Sequence, residues 1–161
     1  MSVWAIVAAA GRGDRLGLNR PKAFAKLRGR PMLAESLERL DASGWVDAVV
    51  VAAPPEWEEP TILLAEEVGA ATVTAAVTGG STRADSVRAA LAEVVRNLSL
   101  RDREKGLSTG EKQMFVKAKK ILASELMYAK GLDEESAATW LDEVLEEVGA
   151  TRSRRPVAAK A

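Results

Sequence analysis

The sequence predicts an α/β unit, three parallel strands with intervening helices, followed by an all-α segment. Two observations carry this. Short apolar runs at 3–9 and 46–52 alternate with amphipathic stretches at the spacing of strand–helix–strand units. From Thr82 onward apolar residues recur at helical spacing, with no strand-like run between them.

Taken in order, 3–9 is strand one, apolar throughout and expected to be covered on both faces. Residues 32–40 form a helix starting after Pro31, with Leu33, Leu37 and Leu40 on one side. Strand two is the Val-rich run 46–52, closed by Pro54-Pro55. A helix at 58–68 carries Ile62, Leu63 and Leu64, and 71–75 is a weaker third strand. The helix from Thr82 has its stripe at Val87, Leu91, Val94, Val95 and Leu98. Ser108 and Glu111 are spaced as a capping box. On the helix that follows, Met114, Phe115, Ala118, Ile121, Leu122, Leu126 and Ala129 make the apolar face, with Lys112, Lys119 and Lys120 off it. Gly131 ends that helix and Asp133 can cap the next. The last buried face is Ala137, Trp140, Leu141, Val144, Leu145 and Val148, before Gly149. Trp4, Trp45 and Trp57 read as packing or edge cover. The expected division is 1–95, 96–149 and a disordered basic tail at 150–161.

Chemistry concentrates after strand one, where a loop holds Gly11, Gly13 and Gly17 together with Arg12, Arg15 and, shortly after, Lys22. Glycines let backbone approach a ligand closely, and N–H groups with flanking Arg and Lys suit phosphate oxygens. No Gly-Lys-Ser/Thr closes the loop, so it is not a P-loop, and its G-x-G-x-x-x-G spacing is offset from the dinucleotide fingerprint. An ordinary strand-to-loop turn is the plain alternative; Arg15 and Lys22 favour phosphate. Asp85, near a helix start, is read as orienting Arg83 or favouring the helix dipole rather than holding metal.

The strand, the loop Ala8-Ala-Ala-Gly-Arg-Gly-Asp-Arg-Leu-Gly17, Pro21-Lys22, the L-x-G-x-P-M-L stretch from Leu27 and Gly79-Gly-Ser-Thr-Arg-Ala-Asp-Ser-Val87 together resemble 2-C-methyl-D-erythritol 4-phosphate cytidylyltransferases over about residues 3 to 95. The resemblance implies half of a Rossmann-like sheet and CTP as the nucleotide ligand. It implies that Ala8, Ala9, Ala10 and Gly11 line the nucleotide through backbone, beside Gly13. Arg15 and Lys22 would stabilise charge on the triphosphate as the catalytic pair. Gly80, Ser81, Arg83 and Ser86 would surround the cytosine, although the family often carries Asp where this chain has Ser81. Family members continue with a strand ending in His-Asp-Ala-Ala-Arg-Pro, whose Asp holds the metal, and with a substrate-binding half. This chain has no His, and nothing after Val95 reads as that strand. Magnesium is therefore expected only through the nucleotide, and catalysis is expected to be impaired.

Ala92-Glu-Val-Val-Arg-Asn-Leu, Arg101-Asp-Arg-Glu-Lys-Gly-Leu-Ser-Thr-Gly-Glu-Lys112 and Leu141-Asp-Glu-Val-Leu145 resemble the helical end of CarD-type transcription regulators, over about 92–148. That family contacts polymerase and promoter DNA, so the alternative reading is a DNA-binding module. Lys112, Lys119 and Lys120 are the possible contacts. The chain thus reads as a chimera spliced within one helix. Its charges balance, 23 basic against 23 acidic, but in blocks: 101–120 is basic and 125–147 acidic. Acid beside the lysines would repel a duplex, so only weak DNA contact is expected. Absent cysteine excludes disulfides and thiolate metal sites. No signal segment or membrane span is recognised, and a cytoplasmic location is expected. Strand one, central in the family's sheet, lacks a neighbour on one side here, which leads to the expectation of a homodimer.

Overall fold

The computed structural model describes residues 2–14, 17 and 19–153, with side chains as far as Glu146. The chain folds into two compact units, Met1–Val94 and Val95–Ala161.

The first unit comprises β1 (Trp4–Ala8), β2 (Lys26–Leu27), β3 (Arg30–Pro31), α1 (Met32–Asp41), β4 (Ala48–Ala53), α2 (Glu58–Glu67) and β5 (Val73–Thr78), and ends within α3 (Arg83–Lys105). β1, β4 and β5 form a parallel sheet in that order. Central β4 is buried at every residue, as a strand with neighbours on both sides and no charge should be. Expected to be covered on both faces, β1 is instead half-buried at each residue. Among the described residues it has a strand neighbour on one side only.

Strand two starts at Ala48 rather than at residue 46, because Val46 closes a turn by donating to the Ser43 carbonyl at 3.2 Å. The third strand lies later than expected, at Val73–Thr78 rather than 71–75. Ala70 and Ala71 are used in the turn leaving α2, and Asp41 Oδ1 accepts the Thr72 N–H at 2.7 Å, tying the end of α1 to the start of β5. That bond holds the Asp41 carboxyl below its usual range. The ladder slips between Val49 and Val50, and Thr74 in the slip donates its hydroxyl to the Val49 carbonyl at 3.2 Å.

A single-turn 3-10 helix at Lys22–Phe24 and a hairpin were not foreseen. β2 and β3 form a small antiparallel hairpin, turned by Arg28 at φ 52° and Gly29 at φ 85°. Two positive φ values in succession are the demand of a tight hairpin turn. Leu33, Ala34 and Leu37 of α1 pack with Ala9, Phe24, Val49, Val51, Leu64 and Ala65. Trp57 closes one side of this core, its ring 4.4 Å from that of Phe24. Trp45, expected to pack, is 84% exposed.

Helix α3 starts where expected, but Val87 is exposed and Ala90 takes its place beside Val94, Val95 and Leu98. It ends where Gly106 turns at φ 74°.

In the second unit α4 (Thr109–Lys130) and α5 (Glu134–Ser153) pack against each other. The Ser108 capping box is complete: its hydroxyl accepts the Glu111 N–H at 3.3 Å, and Glu111 Oε2 accepts the Ser108 N–H at 2.9 Å. Such a cap contributes about 1 kcal/mol. Gly131 ends α4 in the left-handed conformation, and Asp133 Oδ1 accepts the Ser136 N–H at 2.9 Å to open α5. Ala118 and Leu122 face inward as expected, whereas Ile121 and Ala129 are exposed and Ala123 is buried. The buried stripe of α4 is narrower than the apolar one. α5 does not stop at Gly149 but runs to Ser153, since a single glycine weakens a helix without ending it. Residues 150–153, assigned to a disordered tail, are therefore helical. Val148 and 154–161 lie outside the described side chains and residues, respectively. Among the described residues no helix is long and apolar enough to cross a membrane.

Candidate functional site

The parallel sheet sets the place. Chain leaving the carboxyl ends of β1 and β5 meets there, which is where open α/β sheets present their crevice. The Ala9 N–H reaches the Ala52 carbonyl at 2.8 Å and the Gly79 N–H reaches that of Ala53 at 2.7 Å, so both exits are anchored on β4. Between them lies a cavity of about 170 Å³ lined by Ala8, Ala10, Gly11, Gly80, Ser81, Thr82, Arg83 and Ser86. Seven of these eight are sequence-predicted site residues; Thr82 is the addition. A second cavity, about 330 Å³, lies across the same loop and includes Ala8, Ala9, Gly11, Lys22 and Ser36. Ala8 and Gly11 line both. The structure thus places Lys22 in the second cavity and the α3 residues in the first. Arg15 lies outside the described residues.

Close approach explains the glycines. A Cβ on Gly79 would lie 2.3 Å from the Ala10 Cβ, and one on Gly80 2.2 Å from the Asp85 Cβ. Gly13, at φ 76°, would put a Cβ 2.8 Å from that of Lys22, and the Lys22 N–H donates to the Gly11 carbonyl at 3.3 Å. Gly13 therefore lines neither cavity but lets the chain fold back so that Lys22 stands beside the loop.

At the start of α3 the Thr82 N–H donates to Asp85 Oδ2 at 3.2 Å and the Asp85 N–H to the Thr82 hydroxyl at 3.1 Å, a reciprocal cap. The readable signal was Thr-x-x-Asp. Asp85 does not orient Arg83; it pairs with Arg88 at 2.7 Å. The Thr82 hydroxyl first, then Arg88, hold its carboxyl below the usual range. Ser86 is buried, its hydroxyl donating to the Thr82 carbonyl at 3.0 Å and accepting the Gly80 N–H at 3.2 Å. That hydroxyl shapes the Gly80 turn. Arg83 and Ser81 are exposed at the rim. Among the described residues no group of three or more Asp or Glu could hold a metal ion.

On α4, Lys112, Lys117 and Lys120 are exposed, whereas Lys119 pairs with Asp142 and lies 5.6 Å from the Phe115 ring centre.

A parallel β1–β4–β5 sheet whose first strand opens into a glycine-rich loop facing a helix N-terminus places the first unit in the Rossmann-like α/β class. The chain belongs to the 2-C-methyl-D-erythritol 4-phosphate cytidylyltransferase family, whose model matches residues 3–99. It is 46% identical over 91 residues to the enzyme of that name from Nocardia farcinica, a match spanning 56% of this chain and 38% of the relative. Over 90 residues it is 53% identical to that of Rhodococcus jostii, again 56% of this chain and 38% of the relative. A bifunctional IspD/IspF enzyme of Erythrobacter litoralis is 48% identical over 87 residues, 54% of this chain and 22% of that protein. The chain thus spans little more than a third of the length of the first two relatives. Residues 88–142 match a second family model, the C-terminal domain of CarD. The two matches overlap at 88–99, inside α3, wider than the tripeptide read from the residues.

Proposed function

We propose that the first unit binds CTP without cytidylyl transfer. The observation that carries this is the cavity between the β1 loop and the α3 N-terminus, lined by seven predicted residues. Backbone N–H groups around Ala10 and Gly11 and the rim guanidinium of Arg83 suit a base and its sugar. Lys22, across the loop with Arg15 close in sequence, suits the phosphates. Magnesium arrives on the nucleotide. Transfer to 2-C-methyl-D-erythritol 4-phosphate is not expected, because the family match ends at residue 99 and the chain continues into helices that match the C-terminal domain of CarD.

Titration calorimetry with CTP, ATP and GTP, with and without magnesium, tests the reading. Binding of CTP in the micromolar range or weaker is expected, and Lys22→Ala should weaken it by ~1.5–3 kcal/mol, the range for hydrogen bonds to charged groups. No CTP binding at millimolar ligand would overturn the reading; formation of CDP-methylerythritol by the purified chain would overturn its second half.

The exposure of Lys112, Lys117 and Lys120 on α4 favours a second reading, weak duplex contact. Affinity should then fall with salt at a slope of about 0.9 per neutralised phosphate. Lys119, engaged with Asp142, should add nothing when replaced by Ala. Tight, fork-specific binding at physiological salt would reverse the order of the two readings.

A further inference from the structure

We infer that α3 couples the stabilities of the two units, so that a ligand held in the cavity of the first also stabilises α4 and α5. The ligand half of this rests on the nucleotide reading above. The division between units falls at Val94 and Val95, inside a helix that runs unbroken over Arg83–Lys105. Its start is fastened to the cavity. Thr82 and Asp85 cap it reciprocally, and the Ser86 hydroxyl accepts the Gly80 N–H at 3.2 Å. Its end is fastened to the helices that follow. Arg101 pairs with Glu111 at 2.7 Å, and an Arg103 N–H donates to the Leu145 carbonyl at 3.3 Å. Between these anchors Ala90, Val94, Val95 and Leu98 are buried.

Helix chemistry makes the two anchors interdependent. In an α-helix the N–H groups of residues 95–98 donate to the carbonyls of residues 91–94, so each of those bonds ties one unit to the other. Units that unfold separately are ordinarily joined by an exposed linker rich in glycine, proline or polar residues. Here the boundary residues are buried valines, and α3 contains neither glycine nor proline at which a break could be confined. Unfolding one unit alone would fray the shared ladder. It would leave a half-helix shorter than the roughly 12–15 residues that hold helical structure in water without packing. A ligand that binds only the folded first unit stabilises it by mass action, and the ladder carries that gain to the helices beyond.

Urea unfolding of the full chain, followed residue by residue through amide NMR signals, is the test. Val49, Val50 and Val51 of β4 and Ala118, Leu122 and Ala123 of α4 should share one midpoint, the mark of a single cooperative transition. Leu37→Ala, in the first unit, should lower both midpoints alike, by at least ~0.5 M urea. Leu122→Ala, buried on α4, should do the same, because coupling is reciprocal. Ala92→Pro, at an exposed position of α3, breaks the ladder without removing a packed side chain and should separate the midpoints. If Ala92→Pro does not fold, the two leucine variants decide. CTP should raise both midpoints together. A rise at β4 alone, or a Leu37→Ala loss confined to β4, would overturn the inference. So would midpoints that stay joined in folded Ala92→Pro. If CTP moves neither midpoint while both leucine variants move the two together, the nucleotide reading fails and the coupling stands.

Discussion

Leu37→Ala is expected to destabilise the first unit by about 2–5 kcal/mol, the range for removing a buried leucine side chain. Leu37 is fully buried on α1, in the cluster that also holds Leu33, Val49, Val51 and Phe24. Truncation removes its transfer free energy and leaves a cavity between helix and sheet. Neighbouring α1 residues cannot fill it, because Leu33 and Ala34 are already buried beside it. Trp57, its ring tilted against that of Phe24 in the same cluster, reports the transition by fluorescence during urea unfolding. Leu63→Ala is the matched control: Leu63 is 56% exposed, and a surface truncation should change stability by no more than about 0.5 kcal/mol. Equal losses for the two variants would show that α1 does not hold the core assigned to it.

That core was legible because it is simple chemistry: the run Val49-Val-Val51 has no polar residue to place it anywhere but the centre of a sheet, and Leu33 and Leu37 stand one helical turn apart. Strand ends were less legible. They depend on which residue a turn consumes, and the Asp41 bond to Thr72 comes from a side chain 31 residues away. The β2–β3 hairpin was hidden because its strands are two residues long and Arg28, not Asn or Asp, takes the first left-handed position. On α4 the periodicity marked Ile121 as buried, but a helix packed against one partner covers a narrower stripe than its apolar residues span. The site divided in the same way. Gly11, Gly80 and Arg83 could be picked out by motif, and the structure brings them to one cavity. Two facts were not in the motif: Lys22 opens onto the other side of the loop, and the Ser86 hydroxyl is engaged with backbone. Both depend on how two distant turns meet.

The meeting of those turns makes Gly79 the most demanding position of the site. Its backbone lies outside the left-handed region, so alanine is conformationally permitted; space is what forbids it. The added Cβ would stand 2.3 Å from the Ala10 Cβ, 3.0 Å from Ser86 Oγ and 3.2 Å from the Ala53 carbonyl oxygen. None of the three is the far end of a flexible side chain. Ala53 belongs to buried β4, and Ser86 is fixed by Gly80 and Thr82. The loop after β1 must therefore move away from the β5–α3 turn, carrying Ala10 out of the cavity wall and straining the 2.7 Å bond from the Gly79 N–H to Ala53. Overpacking of this kind costs about 1–3 kcal/mol. Gly79→Ala should lower the melting temperature and weaken CTP binding by tenfold or more, since about 1.4 kcal/mol is one decade of affinity. Gly11→Ala, with nothing within 4 Å of the new methyl, should change stability little. The decisive variant is Gly79→Ala with Ala10→Gly, which deletes the closest atom of the clash. Residues in contact couple by about 0.5–3 kcal/mol, so the second change should restore part of what the first removes, in melting temperature as well as in affinity. Strictly additive losses would mean that the two turns do not touch, and the cavity built between them would lose its far wall.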